Sequence, residues 1–232
     1  MTLRENPKTG TQQGRAPRSA KRMAVKAIGL AVLLTALGMG VYVAWDELDE
    51  HIFPIRFTEV KPDRLYRSGQ LSRFLIRRVL EEHDIDVVVD LTAHNHLCKD
   101  QQAEKETVES VGLEYVRATL SGDGTGDLNN YAKAIAAIKR SLDGDKCVLV
   151  HCRSGAWRTG GVLAAYQVLI ERETPEVAYR ELARYTPPTV HEAPVIDYLN
   201  DNMARLAQLL VERGAIEHAP VPLPQFTPSP PS

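Results

Sequence analysis

Cys152 and Arg158 stand six positions apart in the run His151-Cys152-Arg153-Ser154-Gly155-Ala156-Trp157-Arg158-Thr159-Gly160. A thiolate is a strong nucleophile, and a planar guanidinium fork grips two oxygens of a tetrahedral anion at once, which the point charge of a lysine does not. Gly155, between them, permits a tight turn with close backbone approach. The apolar run Val148-Leu149-Val150 precedes the segment and Gly161-Val162-Leu163-Ala164-Ala165-Tyr166 follows it at helical spacing. That order reads as strand, tight loop and helix start, which turns backbone N–H groups toward an anion at a positive helix end. The candidate anion cradle is Arg153, Ser154, Gly155, Ala156, Trp157 and Arg158. His151 orients the loop from below, and Thr159 supports the sulfur through its hydroxyl. The chemistry open to these groups is attack by sulfur on a bound phosphoryl group.

With His151, Cys152, Gly155, Arg158 and Thr159 in place, the segment resembles the His-Cys-x-x-Gly-x-x-Arg-(Ser/Thr) motif of the cysteine-dependent protein tyrosine and dual-specificity phosphatases. The upstream stretch Leu65-Tyr66-Arg67-Ser68-Gly69-Gln70 is similar to the compact, atypical dual-specificity branch. The likeness extends over about residues 57–210. It implies phosphomonoester hydrolysis through a cysteinyl-phosphate intermediate, with Cys152 as nucleophile, Arg158 as clamp and an aspartate as general acid. No metal and no organic cofactor is implied.

In the family the acid lies on a mobile loop roughly 30 residues before the cysteine. The corresponding stretch here is Ser121-Gly122-Asp123-Gly124-Thr125-Gly126-Asp127. Asp123 has the better offset. Asp127, just ahead of the helical pattern Tyr131, Ile135, Ile138 and Leu142, reads first as an N-cap. Cys98 resembles the position of a backdoor cysteine in some lipid-directed relatives, which would make it a redox partner of Cys152, but it reads first as a plain loop cysteine. Cys147 lies too far along the same strand to bridge to Cys152.

The elements that must position these groups alternate. Strands are predicted over 57–60, 64–68, 85–91 and 113–119, besides the one leading into the loop. Helices are predicted over 72–82, 100–110, 127–142, 158–172, 175–184 and 193–213. This implies an α/β three-layer sandwich around a mainly parallel central sheet, with the phosphatase domain over 52–214. His94, Asn95 and His96 lie in a strand-end loop without a third ligand, so they read as a border of the cleft and not as a metal site.

Outside the domain the composition changes. Seven basic residues and one acidic residue fall in 1–26, a charge of +6 that leaves −8 on the rest of a chain of net charge −2. A domain this acidic is a poor match for nucleic acid. An uncharged run of nineteen residues, 27–45, follows the basic segment and is bounded by Asp46, Glu47, Asp49 and Glu50. Its length suits a transmembrane helix, and its flanks place the basic segment in the cytoplasm and the domain on the other side. A cleaved signal peptide is the competing reading of the run. Six prolines between Pro220 and Pro231 predict a disordered tail over 215–232. The expected partners are therefore a membrane and a phosphorylated substrate: a protein, an inositol phosphate or a lipid phosphate. A tethered phosphate-binding module with little catalysis is the alternative.

Overall fold

A computed structural model describes residues 28–40, 52–186 and 194–227. Residues 28–40 form a helix whose large apolar side chains are exposed, with Ile28, Leu33 and Val32 each 64% accessible. Among the described residues no helix is long and apolar enough to cross a membrane. The remainder of the expected anchor, residue 27 and residues 41–45, lies outside the described residues, as does the basic segment 1–26.

The domain is built on five strands: β1 (Thr58–Lys61), β2 (Leu65–Ser68), β3 (Val87–Asp90), β4 (Glu114–Arg117) and β5 (Val148–His151). Their order is β1-β2-β5-β3-β4; β1 runs antiparallel to β2 and the other pairings are parallel. β2, β3 and β5 are buried throughout, as strands covered on both faces must be, and their valine and leucine runs suit that setting. Two helices, α1 (Ile76–Glu82) and α2 (Lys99–Val111), cover one face around Val79, Leu80, Val88 and Leu149. Four others cover the opposite face: α3 (Leu128–Asp143), α4 (Trp157–Tyr166), α5 (Pro175–Arg184) and α6 (Pro194–Glu212). The expected three-layer arrangement is thus present.

Local chemistry sets the helix ends. The Asp127 carboxylate accepts from the Asn129 N–H at 2.8 Å and caps α3, while Thr174 caps α5 with Pro175 in its first turn. Two expected helices differ from the structure. The stretch 72–82 begins with a turn in which Leu75 and Ile76 N–H groups donate to Ser72 O, and the helix proper starts at Ile76. The single helix expected over 158–172 widens after Tyr166 into a π-helical turn, Gln167–Glu171, closed by left-handed Arg172.

The tail expectation is corrected for 215–227. Phe226 is 3% exposed within the larger core, and Asn200 on α6 clamps its backbone, accepting from the N–H at 2.8 Å and donating to the C=O at 2.9 Å. Proline-rich chain is stiff, so it loses little entropy when one aromatic anchor fastens it. Asn200→Ala should cost about 1–3 kcal/mol, the penalty for leaving buried backbone groups unpaired. A denaturation midpoint equal to wild type would refute the clamp. Residues 228–232 lie outside the described residues.

Candidate active site

The central strand of the sheet ends at His151, in register with Ser68 on β2 and Asp90 on β3. The crevice beyond the carboxyl ends of parallel strands is where open α/β sheets take their ligands. There the chain turns through residues 152–156 and enters α4 at Trp157. Cys152 is fully buried at the bottom of this turn, and the Gly155 N–H donates to its Sγ at 3.2 Å. Burial pushes the thiol pKa up. The polar groups of the adjacent Thr159, the Arg158 charge and the Gly155 amide outweigh it, and the net shift is downward. The result is an anion cradle built around a thiol that ionises more readily than an ordinary one.

The turn depends on Gly155, whose φ is +68°. A Cβ there would lie 2.6 Å from Gly69 N and 2.7 Å from Ser68 C, backbone atoms that cannot give way. Gly155→Ala should therefore displace the loop by a fraction of an ångström or more and cut kcat about 10²-fold, the scale of a 1 Å misplacement. Wild-type kcat in the variant would show that the close approach carries no function.

A cleft of about 600 Å³ opens over the loop. Arg153, Ser154 and Arg158 line it from the loop, Arg56 and Gln70 from the N-terminal side, and His94, Asn95 and Cys98 from the opposite rim. Ala156 is buried, Trp157 is half-buried against the larger core, and His151 and Thr159 are fully buried. The histidine loop borders the cleft as expected. His94 Nδ1 lies 2.9 Å from Arg117 Nη1. All three cysteines are free, and Cys98 sits half-buried at the start of α2.

The two candidate acids are occupied elsewhere. Asp123 is exposed, lies outside the cleft lining, and accepts through Oδ1 from Thr125 N at 3.0 Å and Thr125 Oγ1 at 2.9 Å. The Thr125 amide bond is the first cause holding its pKa below the ordinary carboxylate value. Asp127 spends its carboxylate on the α3 cap.

Behind the loop lies a buried polar cluster that sequence reading did not assemble. His151 Nε2 is 3.1 Å from Glu104 Oε1 and 3.9 Å from Asp90 Oδ1, and all three side chains are fully buried. Burial alone would lower the imidazole pKa, but Glu104, then Asp90, carry it up to about 9. The carboxylates are further satisfied. Tyr115 Oη donates its one proton to Asp90 Oδ2 at 2.7 Å and lies 3.1 Å from Glu104 Oε2, Arg117 Nε donates to Asp90 Oδ2 at 2.9 Å, and Gln70 donates to Glu104 at 3.1 Å. These donors, with the imidazolium, fill the positions a metal ion would need. Asp90 terminates the apolar run Val87-Val88-Val89, which marks it as unusual, whereas nothing in an amphipathic helix singles out Glu104.

Residues 76–172 match the family described as "Polymorphic toxin system, DSP-PTPase phosphatase". The human protein named "Phosphatidylglycerophosphatase and protein-tyrosine phosphatase 1" is 27% identical over 116 residues, covering 48% of this chain and 56% of that protein. Its rat counterpart is 25% identical over the same length. The chain thus spans little more than half the length of these curated relatives. In fold it is similar to P. aeruginosa TpbA (TM-score 0.53, 16% identity, 69% of this chain and 91% of that one). The Siw14 catalytic core gives a TM-score of 0.53 at 14% identity, covering 74% of this chain and 97% of that one. The structure of PTPMT1 in complex with PI(5)P gives 0.51 at 18% identity, covering 68% and 98%.

Proposed function

We propose that this chain, an atypical compact dual-specificity-type cysteine phosphatase, hydrolyses phosphomonoesters through a phosphorylated Cys152. The observation that carries the reading is the buried Cys152 sulfur, its pKa lowered, within the loop whose Arg153, Ser154 and Arg158 line the cleft. In the first step a sulfur lone pair forms the S–P bond as the P–O ester bond breaks, with the equatorial oxygens held by Arg158 and the loop N–H groups. The leaving oxygen takes a proton from Asp123. In the second step water attacks phosphorus, the S–P bond breaks, and Asp123 accepts the water proton.

For Asp123 to act, it must release Thr125 and swing over the loop. Gly122 before it is exposed with open space around it, whereas Tyr131 and Tyr198 hold the Gly124 and Gly126 carbonyls, so the movement pivots on the 121–123 side. Asp123→Asn should lower kcat about 10²–10⁴-fold on alkyl phosphates, and much less on an aryl phosphate whose leaving group needs no proton. Asp127→Asn should change little, because asparagine caps a helix as well as aspartate. The reverse pattern would move the acid to Asp127.

For substrate, the cleft favours small anionic phosphomonoesters, including lipid headgroups, over phosphopeptides. Three arginines from two segments, Arg56, Arg153 and Arg158, line it. The relative named as a phosphatidylglycerophosphatase and the neighbour bound to PI(5)P support that class. The apolar 27–45 run, flanked by basic and then acidic residues, supports a membrane anchor with the domain on the non-cytoplasmic side. The exposed leucines, Ile28, Val32 and Met39 of 28–40 agree with it. In right-side-out vesicles a tagged N-terminus should be protected from protease while the domain is digested, and free release of the domain into the soluble fraction would favour a cleaved signal instead.

The test is a rapid acid quench of the reduced protein turning over an aryl phosphate, a phosphotyrosine peptide, inositol phosphates and phosphatidylglycerol phosphate. A phosphate on the Cys152 peptide and faster turnover of the anionic small molecules are expected. No turnover on any substrate, with retained oxyanion binding, would favour a tethered phosphate-binding module.

A further inference from the structure

Three successive carbonyls of the phosphate loop are each held from outside by a separate donor. The Gln70 N–H donates to Arg153 O at 3.0 Å. Arg56 Nη1 donates to Ser154 O at 2.7 Å, and Arg67 Nη2 donates to Gly155 O at 2.7 Å. In a trans peptide the C=O and the following N–H point in opposite directions. Fixing these carbonyls outward therefore turns the N–H groups of Ser154, Gly155 and Ala156 inward. The Gly155 N–H already reaches the Cys152 sulfur at 3.2 Å.

We propose that Arg67 and Arg56 are positioning residues that lock the phosphate loop in its anion-ready form before any substrate arrives. This rests on the reading of Cys152 as a nucleophile beneath an anion cradle. It goes beyond that reading in assigning the preorganisation to two arginines outside the loop.

The setting of each arginine fits the role. Arg67 is fully buried on β2 and does not line the cleft, so it touches no substrate. Its guanidinium stacks on the Tyr185 ring at 3.8 Å, and Nη1 lies 3.6 Å from Glu181. A fully buried cation is costly to place in a fold. Among the described residues its one direct hydrogen bond to a backbone acceptor is the one to the loop. Arg56 is exposed and adopts φ +48°, a conformation rare outside glycine, with the neighbouring Ile55 O accepting from Gly69 N at 2.7 Å. That contact holds the Arg56 backbone beside the loop. Gln70 supplies the third clamp from its backbone, which no side-chain change removes.

An arginine fork is needed at position 67 because one guanidinium must lie flat on Tyr185 and still reach Gly155 O. Lysine keeps the charge and loses that geometry. The test therefore compares wild type, Arg67→Lys, Arg56→Met and Arg56→Lys, each confirmed as folded by circular dichroism. Two quantities are measured that need no turnover: the pH profile of Cys152 alkylation by iodoacetamide, and the dissociation constant of tungstate. Arg67→Lys and Arg56→Met should move the alkylation midpoint upward and weaken tungstate about tenfold each, the scale of one lost hydrogen bond to a charged group. Arg56→Lys, which retains a donor within reach of Ser154 O, should recover most of both.

A wild-type alkylation profile in folded Arg67→Lys would overturn the proposal, since charge alone would then suffice. If Arg67→Lys does not fold, Arg56→Met decides. Weaker tungstate binding with an unmoved alkylation midpoint would mean that Arg56 merely attracts the anion, and the clamp would be rejected. A wild-type protein that neither binds tungstate nor alkylates near neutral pH would instead bring down the phosphatase reading itself.

Discussion

Cys152→Ser is expected to abolish turnover, by about 10⁴-fold or more, while leaving oxyanion affinity within a few-fold of wild type. The first half follows from ionisation. The cradle lowers the pKa of a thiol that is already easy to ionise, whereas a hydroxyl starts far higher and no neighbouring side chain is placed to take its proton. His151 is held as the cation by Glu104 and Asp90, so it does not act as a base at neutral pH. Losing a catalytic nucleophile elsewhere costs on the order of 10⁶-fold in kcat. The second half follows from where the anion contacts reside. They are backbone N–H groups and the Arg158 fork, none of which the substitution touches. Phosphate release with an alkyl and an aryl substrate, beside tungstate titration, checks both halves. Residual activity within tenfold of wild type would mean that water, not sulfur, attacks phosphorus.

The loop was legible in the sequence because its chemistry is contiguous. From His151 to Thr159 every functional group is fixed by its own backbone, so residue types and spacing suffice. The sheet was legible for a related reason: runs such as Val87-Val88-Val89 can only be strands buried on both faces. What the sequence did not disclose is everything contributed across strands and helices. Arg56, Arg67, Asp90 and Glu104 come from a connecting segment, β2, β3 and α2, and only the parallel register brings them beneath one loop. Arg67 carried a faint signal, a cation between Leu65-Tyr66 and Ser68 in a short strand of the sheet. Glu104 carried none. The C-terminal segment misled through composition: prolines suggested a loose tail, and one aromatic residue among them overrides that tendency.

The His151 cluster has a thermodynamic signature. The imidazole pKa rises from about 6.5 to about 9 on folding. A raised pKa contributes stability that is complete below the unfolded value and is lost as pH rises through the folded one. The domain should therefore lose on the order of 3 kcal/mol between pH 6.5 and 9 from this group. Cys152 acts with the opposite sign. Its pKa is depressed, so its contribution grows as pH approaches the ordinary thiol value. Measuring in the Cys152→Ser background removes that opposing slope, and it also removes the thiolate, the smallest of the influences that raise His151.

In that background Glu104→Gln is expected to cost about 3–5 kcal/mol near neutral pH, because it strips the nearest counter-charge from a buried cation. For a domain of this size the loss corresponds to a fall in melting temperature of about 10 °C. Asp90 remains at 3.9 Å and keeps part of the shift. The variant's stability should therefore fall less steeply from pH 6.5 to 9 than that of its parent, and the two curves should converge toward the alkaline end. Parallel curves would place the proton elsewhere and leave Glu104 a purely neutral packing role. Convergence would show that a carboxylate on a helix across the sheet edge sets the charge directly beneath the nucleophile.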